Sequence, residues 1–178
     1  MSDSAKMPSR LWTEAGFRDD EWVHVEHAAE ALDGNRRAIL PLAAYVGLDE
    51  SVREAAAGRL GVLVAPGEPL DALLPHLAKL PLVALAFPAF NDGRSYSKAE
   101  LLRSRHGYRG AVRASGDVLI DQMPLMLRTG FTEFEVTNET ALRRLVEGRL
   151  GGIPFHYQPA SKAGTAGAGY SWRRLPAA

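Results

Sequence analysis

The sequence of 178 residues contains no cysteine and carries no net charge. Without a thiol, the chain cannot form a disulfide, a thiolate nucleophile, an iron–sulfur centre or a zinc–thiolate site of its own. The 21 basic residues equal the 21 acidic residues in number, so no net electrostatic attraction draws the chain toward nucleic acid or acidic membranes. We therefore expect neither of these as a partner.

Long apolar runs are also missing. No segment approaches the roughly 18 uninterrupted apolar residues of a membrane span, and the first residues do not resemble a secretory signal, so we expect a cytoplasmic protein. A hydrophobic content of 46% is enough for one sizeable core. We expect residues 1–20 to be poorly ordered, residues 21–158 to form a single α/β domain, and residues 159–178 to be a flexible tail rich in Ala, Gly and Ser.

Apolar, β-favouring segments alternate with segments of helical character, which is typical of parallel strands joined by crossover helices. About five consecutive strand-helix units are too few to close an eight-stranded barrel, so we expect a mainly parallel sheet that is either open and doubly wound or a partial barrel. The even spacing of the units favours the partial barrel. The predicted strands are residues 36–42, 59–65, 82–87, 110–114 and 131–136, and residues 22–25 fit an additional edge strand.

The clearest predicted helix covers residues 70–80, because its leucines recur at helical spacing and predict a buried stripe. Further helices are predicted over residues 98–106, 118–129 and 139–149. Pro124 falls inside the third of these four helices and predicts a kink, because proline removes a backbone hydrogen bond and clashes with the preceding turn. The stripe consists of Leu70, Leu73, Leu74, Leu77 and Leu80.

The densest polar cluster of the chain follows the third predicted strand. Ligands of such folds usually bind beyond the carboxyl ends of the strands, so this loop is the first candidate site. Arg94 could hold a carboxylate, a phosphate or a sulfur oxyanion, aided by backbone amides at the start of the following helix. The alternative is structural, with a turn around Asp92 and a capping box formed by Ser97 and Glu100.

Arg113 and Ser115 share one face of the next predicted strand, because side chains alternate along a strand. Arg113 and Arg94 could then flank one anion. The alternative is an internal ion-pair network, because a buried charge without a partner costs several kcal/mol. The candidate partners of Arg113 in that network are Asp92, Asp117 and Asp121.

Asp117 is the predicted N-cap of the helix over residues 118–129, and Asp121 follows one turn later. Paired carboxylates could perform acid–base chemistry or bind a divalent metal, but capping is the more common role at such a position. The five histidines show no metal-binding spacing, and no phosphate-binding glycine motif or serine-nucleophile motif is present. We therefore expect no metal site and can name no cofactor.

Four segments in this order, residues 87–97, 107–110, 113–122 and 130–131, resemble the bacterial family "domain of unknown function 934". The resemblance covers residues 36–158, and members are often labelled as probable oxidoreductases involved in sulfite reduction. Thr129 departs from the pattern because a Cys is common at that position, and so does the interrupting Pro124. The resemblance singles out Asp92, Gly93, Arg94, Tyr96, Ser97, Arg113, Gly116, Asp117, Asp121 and Gln122.

The first functional hypothesis is an accessory protein of assimilatory sulfite, sulfate or nitrite reduction, which binds a small oxyanion, a small acid or the sulfite or nitrite reductase itself. The alternatives are an oxidoreductase or lyase acting on a small anionic substrate, and a structural or regulatory interaction domain, with homo-oligomerisation left open. The catalytic candidates are Asp92, Asp117 and Asp121. The ligand-binding candidates are Asp92, Gly93, Arg94, Tyr96, Ser97, Arg113, Ser115, Gly116 and Gln122.

Overall fold

The structure is a computed structural model that describes residues 9–33, 36–89 and 91–151. Within these residues the strands are β1 Arg10–Thr13, β2 Gly16–Arg18, β3 Trp22–His24, β4 Arg37–Pro41, β5 Leu60–Val64, β6 Leu82–Phe87, β7 Ala111–Gly116 and β8 Glu133–Val136. The α-helices are α1 Ala28–Leu32, α2 Leu42–Val46, α3 Glu50–Ala55, α4 Arg94–Ser104, α5 Met123–Thr129 and α6 Glu139–Val146, and a 3-10 helix covers Leu74–Lys79.

All eight strands belong to one mixed sheet in the order β2-β1-β8-β7-β6-β5-β4-β3. Strands β3 to β8 are parallel and follow one another in chain order, while β1 pairs antiparallel with both β8 and β2. In a doubly wound sheet the strand order reverses at one point, whereas the parallel strands β3 to β8 lie in unbroken chain order. The sheet is a curled half-barrel, so the partial-barrel alternative is confirmed.

The curl is visible in a contact between distant strands. His24 on β3 and Glu135 on β8 lie five strand steps apart in the sheet, which is roughly 24 Å when the sheet is flat. Their side chains nevertheless approach to 2.7 Å between Nε2 and Oε1. The two strands therefore face each other across the concave inner face of the half-barrel.

The core has two parts, one on each face of the sheet. The larger part lies between the outer face and the helices, and includes Val62, Leu85 and Leu102. A smaller cluster of Ile39, Leu82 and Ala84 lies on the inner face, where Trp22, Leu63 and Ala111 pack against it. The inner face is therefore filled by side chains and does not form an open channel.

The five predicted parallel strands are confirmed as β4 to β8, within two residues at each end, and the predicted edge strand is confirmed as β3. The description as five strand-helix units is not confirmed, because a 3-10 helix connects β5 to β6 and three further strands extend the sheet. No strand was predicted in the segment over residues 1–20, where β1 and β2 form a hairpin whose Leu11 and Trp12 are buried. Residues 1–8 and the predicted tail over residues 159–178 lie outside the described part.

Several helix predictions need correction. The helix over residues 70–80 is instead a turn followed by a 3-10 helix, because Pro75 has no N–H to donate, although Leu70, Leu73, Leu77 and Leu80 are buried as predicted. The predicted kink at Pro124 is also wrong. α5 begins late, at Met123, so Pro124 occupies its first turn, where a missing N–H costs little.

Candidate functional site

The loop after β6 is organised by Asp92. Its Oδ1 accepts hydrogen bonds from the backbone N–H of Arg94 at 3.2 Å and from Nε of Arg94 at 2.9 Å, while Oδ2 accepts from Nη2 at 2.7 Å. These bonds start α4 at Arg94, with Gly93 as N-cap. The predicted capping box is therefore wrong, because Ser97 and Glu100 lie inside the helix and both are exposed.

The Arg94 guanidinium controls the ionisation of Asp92. Its hydrogen bonds lower the pKa of the Asp92 carboxyl to about 2. In turn, the hydrogen bond and charge of Asp92 raise the pKa of Arg94. An efficient general base has a pKa near the working pH. Asp92 is therefore a weak proton acceptor and is suited instead to fixing the orientation of Arg94.

Arg94 lies at the carboxyl ends of β5 and β6. Its side chain is 64% exposed, and Nη1, which has no hydrogen-bond partner among the described residues, lies close to Gly67 in the loop after β5. Lys98 fixes this loop through bonds from Nζ to the carbonyls of Ala65 at 2.6 Å and Pro66 at 2.9 Å. An exposed arginine thus presents free donors beside a well-fixed loop.

Tyr96, another ligand-binding candidate, belongs to an aromatic cluster. Its ring meets Phe87 edge-on, with centroids 5.3 Å apart, and lies 6.3 Å from Phe131. Burial raises the pKa of Tyr96 to about 12. Ser95, which the sequence did not single out, is fully buried and donates to the Ala86 carbonyl at 2.7 Å. These two side chains anchor the start of α4 to the sheet.

The candidates at the end of β7 and directly after it make different contacts. Gly116 has a φ of +105°, and a Cβ there would lie 2.4 Å from the Phe87 carbonyl oxygen, which accepts from the N–H of Asp117 at 2.7 Å. Asp117 is not the N-cap of α5, which is Gln122, and no side chain caps that helix. Asp121 is 83% exposed and pairs with Arg144 of α6 at 3.2 Å. Neither aspartate lies in α5, which begins at Met123, so the predicted spacing of one helical turn between them is not found.

Arg113 lies on the inner face of the sheet and is fully buried. Its Nε donates to Glu133 at 2.8 Å, and Nη1 donates to Asp20 at 2.9 Å and to Glu135 at 3.2 Å. Nη2 is 3.1 Å from Asp20 and 2.8 Å from Glu133. All three nitrogens of the guanidinium thus donate to carboxylates, and three carboxylates surround it. We call these four residues the inner-face network.

The partners of Arg113 differ from those expected. The sequence proposed Asp92, Asp117 or Asp121, whereas the structure places Asp20, Glu133 and Glu135 around the guanidinium. Burial acts to lower the pKa of Arg113, but the hydrogen bonds and charges of Asp20 and Glu133 outweigh it and raise the pKa. The geometry matches the ion-pair alternative, because every nitrogen of the buried Arg113 guanidinium already donates to a carboxylate.

Glu135 extends the inner-face network toward solvent. Its Oε2 accepts from the Ser115 hydroxyl at 2.6 Å, and its Oε1 contacts Nε2 of His24. Burial acts to raise the pKa of Glu135, yet the hydrogen bonds and charges of His24, Ser115 and Arg113 together lower it. Ser115, a predicted ligand contact, is therefore engaged by a carboxylate.

The acidic members of this network were not predicted from the sequence. Glu133 and Glu135 alternate with the buried Phe134 and Val136 along β8, so their charges face the same side as Arg113 on β7. That alternation in the sequence could have identified both glutamates as partners of Arg113. Asp20 carried no comparable signal, because its proximity depends on the curl of the sheet.

The described residues were also compared with the requirements of a metal site and of a membrane-spanning helix. Within residues 9–33, 36–89 and 91–151, no group of three or more His, Asp or Glu side chains could hold a metal ion. No helix in this described part is long and apolar enough to cross a bilayer.

The fold and the site define a class of protein, a mixed α/β half-barrel with a buried ion-pair network on its inner face and an exposed arginine at the carboxyl ends of its strands. The family model described as "Bacterial protein of unknown function (DUF934)" matches residues 61–167. The chain belongs to this family. No curated protein and no solved structure matches the chain significantly.

Proposed function

We propose that this chain is an accessory protein of assimilatory sulfite, sulfate or nitrite reduction, and that it binds a small oxyanion at Arg94. The association with this metabolism rests on the family resemblance. The accessory role, as opposed to catalysis of the reduction, rests on the chemistry of the candidate residues.

The orientation of Arg94 carries the proposal. Asp92 holds one edge of the guanidinium, while Nη1 has no partner among the described residues and is open to solvent beside Gly67. A sulfur or nitrogen oxyanion offers several acceptor oxygens to such donors. The surroundings are balanced in charge, with Asp92 and Glu68 against Arg94 and Lys98. Affinity therefore depends on oriented donors and not on net charge.

The candidate carboxylates support binding over catalysis. Asp92 has a pKa of about 2 and is held by Arg94, so it is a poor general base. Asp121 is a surface residue paired with Arg144. The chain also has no cysteine to provide a redox thiol. In this proposal the reduction takes place on a sulfite or nitrite reductase, and this protein delivers or retains the anion.

Calorimetric titration of sulfite, sulfate and nitrite into the wild type tests anion binding. We expect at least one of these anions to bind, and Arg94→Met to weaken it by about tenfold or more, the loss typical of a charge-assisted hydrogen bond. Arg105→Met, which removes an exposed arginine at the other end of α4, is the matched control. Equal affinities of the two variants, or no binding to the wild type, would refute the Arg94 site.

A growth experiment tests the metabolic role. Deleting the gene should slow growth on sulfate as the sole sulfur source, while growth on cysteine stays normal. A parallel culture on nitrite as the nitrogen source separates sulfite from nitrite reduction. Complementation with wild type should restore growth, and Arg94→Met should restore it incompletely. Unimpaired growth of the deletion strain on both sulfate and nitrite would rule out the proposed role.

A further inference from the structure

A cavity of about 410 Å³ lies at the amino-terminal ends of β7 and β8, the opposite end of the parallel sheet from Arg94. Its volume is within the range of pockets that bind small molecules. The lining combines two arginines, Arg103 and Arg109, with the apolar Leu127 and Phe131 and the ring of Tyr108. None of these residues is used by the proposed function.

Arg103 is a half-buried cation without a carboxylate partner in the described part of the chain. Its Nε donates to the Gly130 carbonyl at 2.9 Å, and its Nη1 donates to the carbonyls of Tyr108 at 2.7 Å and Gly110 at 2.8 Å. Three backbone carbonyls orient the guanidinium without neutralising it. Nη2 makes no hydrogen bond to any described residue, so its two N–H groups remain available.

Gly130 makes this arrangement possible. Its φ is +107°, and a Cβ at this position would lie 2.4 Å from Cγ of Arg103. The guanidinium of Arg103 also lies 5.6 Å from the ring centroid of Tyr108, whose hydroxyl donates to the Leu80 carbonyl at 3.0 Å. Arg103 and Tyr108 are therefore held rigidly, which lowers the entropy cost of ligand binding.

Arg109 adds a second positive charge at the same cavity. It is exposed and forms no ion pair or hydrogen bond with any described residue. Among the described lining residues Glu14 supplies the one carboxylate, and it is exposed and makes an interaction of its own. The cavity is therefore lined by two cations that have no carboxylate partner among the described residues. Its apolar wall consists of Tyr108, Leu127 and Phe131, which are each less than 8% exposed.

We propose that this cavity binds a small organic carboxylate, with the carboxylate group at Arg103 and Arg109 and the apolar body against Leu127 and Phe131. Arginine donors match the two oxygens of a carboxylate, and apolar surface favours an organic ligand over an inorganic ion. The site is separate from Arg94, which lies beyond the other end of the strands.

The test is an NMR titration of the full chain, with benzoate as the probe and benzamide as its uncharged analogue. We expect benzoate to shift the backbone amides of Gly107, Gly110 and Gly130 saturably, and benzamide to bind about tenfold more weakly or worse. Arg109→Met should reduce benzoate affinity by a similar factor. Its unfolding should stay cooperative, because Arg109 contacts no partner in the described structure.

Two matched variants isolate the effect. Arg105→Met removes the same charge from a neighbouring position outside the cavity, and Arg94→Met removes the proposed oxyanion site, so both should bind benzoate like the wild type. The proposal is overturned if benzoate does not bind, if benzamide binds equally well, or if Arg109→Met behaves like Arg105→Met. It is likewise overturned if Arg94→Met weakens benzoate binding, which places the probe at the other site.

Discussion

The two arginines that the sequence singled out occupy opposite environments. Arg113 is fully buried and pairs with Asp20, Glu133 and Glu135, which are 93, 20 and 22 residues away in sequence. The Arg94 side chain is 64% exposed and pairs with Asp92, only two residues away. One arginine connects distant segments across the inner face, whereas the other shapes a single loop and keeps donors open to solvent.

The difference in burial determines how much each arginine contributes to the stability of the fold. Removing one partner from a buried ion pair leaves uncompensated charge in a region of low polarity, which is strongly destabilising. An exposed pair is solvated and screened, so it contributes little to stability. The comparison therefore predicts that Arg113 matters for folding, while Arg94 remains available for binding.

The largest expected effect comes from Arg113→Met. Three carboxylates then face one another without their cation, so we expect a loss of about 3 to 5 kcal/mol in the free energy of unfolding. Arg94→Met is the control, and its denaturation midpoint should match that of the wild type. Equilibrium denaturation with urea measures both. Similar denaturation midpoints for the two variants would contradict the prediction that Arg113 contributes more to stability than Arg94.

A smaller effect is expected from Gly116→Ala, at the end of the strand that carries Arg113. The new methyl group would meet the Phe87 carbonyl at 2.4 Å with φ at +105°, so we expect a loss of about 1 to 3 kcal/mol. Gly93→Ala, directly before Arg94, is the control, because φ is −82° and no atom lies within 4 Å of the added Cβ. Thermal unfolding that ranks Gly93→Ala as the more damaging change would contradict the described strand ends.

The smallest of these effects is a dependence on acidic pH. The pKa of Glu135 is lowered in the fold from its ordinary value of 4.5, so the fold favours the ionised carboxylate. Its contribution to stability is complete above pH 4.5 and disappears as the pH falls through the lower folded-state pKa. Urea midpoints between pH 3 and pH 7 should therefore fall less steeply for Glu135→Gln than for wild type. Glu100→Gln, on the exposed side of α4, should follow the wild-type profile.

Local patterns in the sequence predicted much of the fold. Strands β4 to β8 were identified because their residues are apolar and β-favouring. The end of the helix predicted over residues 118–129 was also correct, since α5 ends at Thr129 and Gly130 adopts the left-handed φ that glycine tolerates. The hairpin of β1 and β2 was missed, although Gly16 with its φ of +103° ends the turn that connects its strands. The glycine in this turn was not used as a hairpin signal, because residues 1–20 were expected to be poorly ordered.

The candidate site was predicted only where its contacts are local. Asp92 and Arg94 were placed together because they are neighbours in one loop, yet the helix start was assigned to Ser97 when Asp92 already holds the amide of Arg94. An ion-pair network around Arg113 was one of the two alternatives predicted, but the carboxylates that form it were not identified. Its partners meet because the half-barrel curls and brings Asp20 beside β7, and no local pattern reports curvature.

The pairing of Arg113 with Asp20 is the central contact of the inner-face network, and a double-mutant cycle measures it directly. The free energy of unfolding is determined for wild type, Asp20→Asn, Arg113→Met and the double variant. Residues in one ion-pair network are coupled by about 0.5 to 3 kcal/mol, so the double variant should lose clearly less stability than the sum of the two single losses. Strict additivity would mean that Asp20 does not contact Arg113 and would contradict the inner-face network as described.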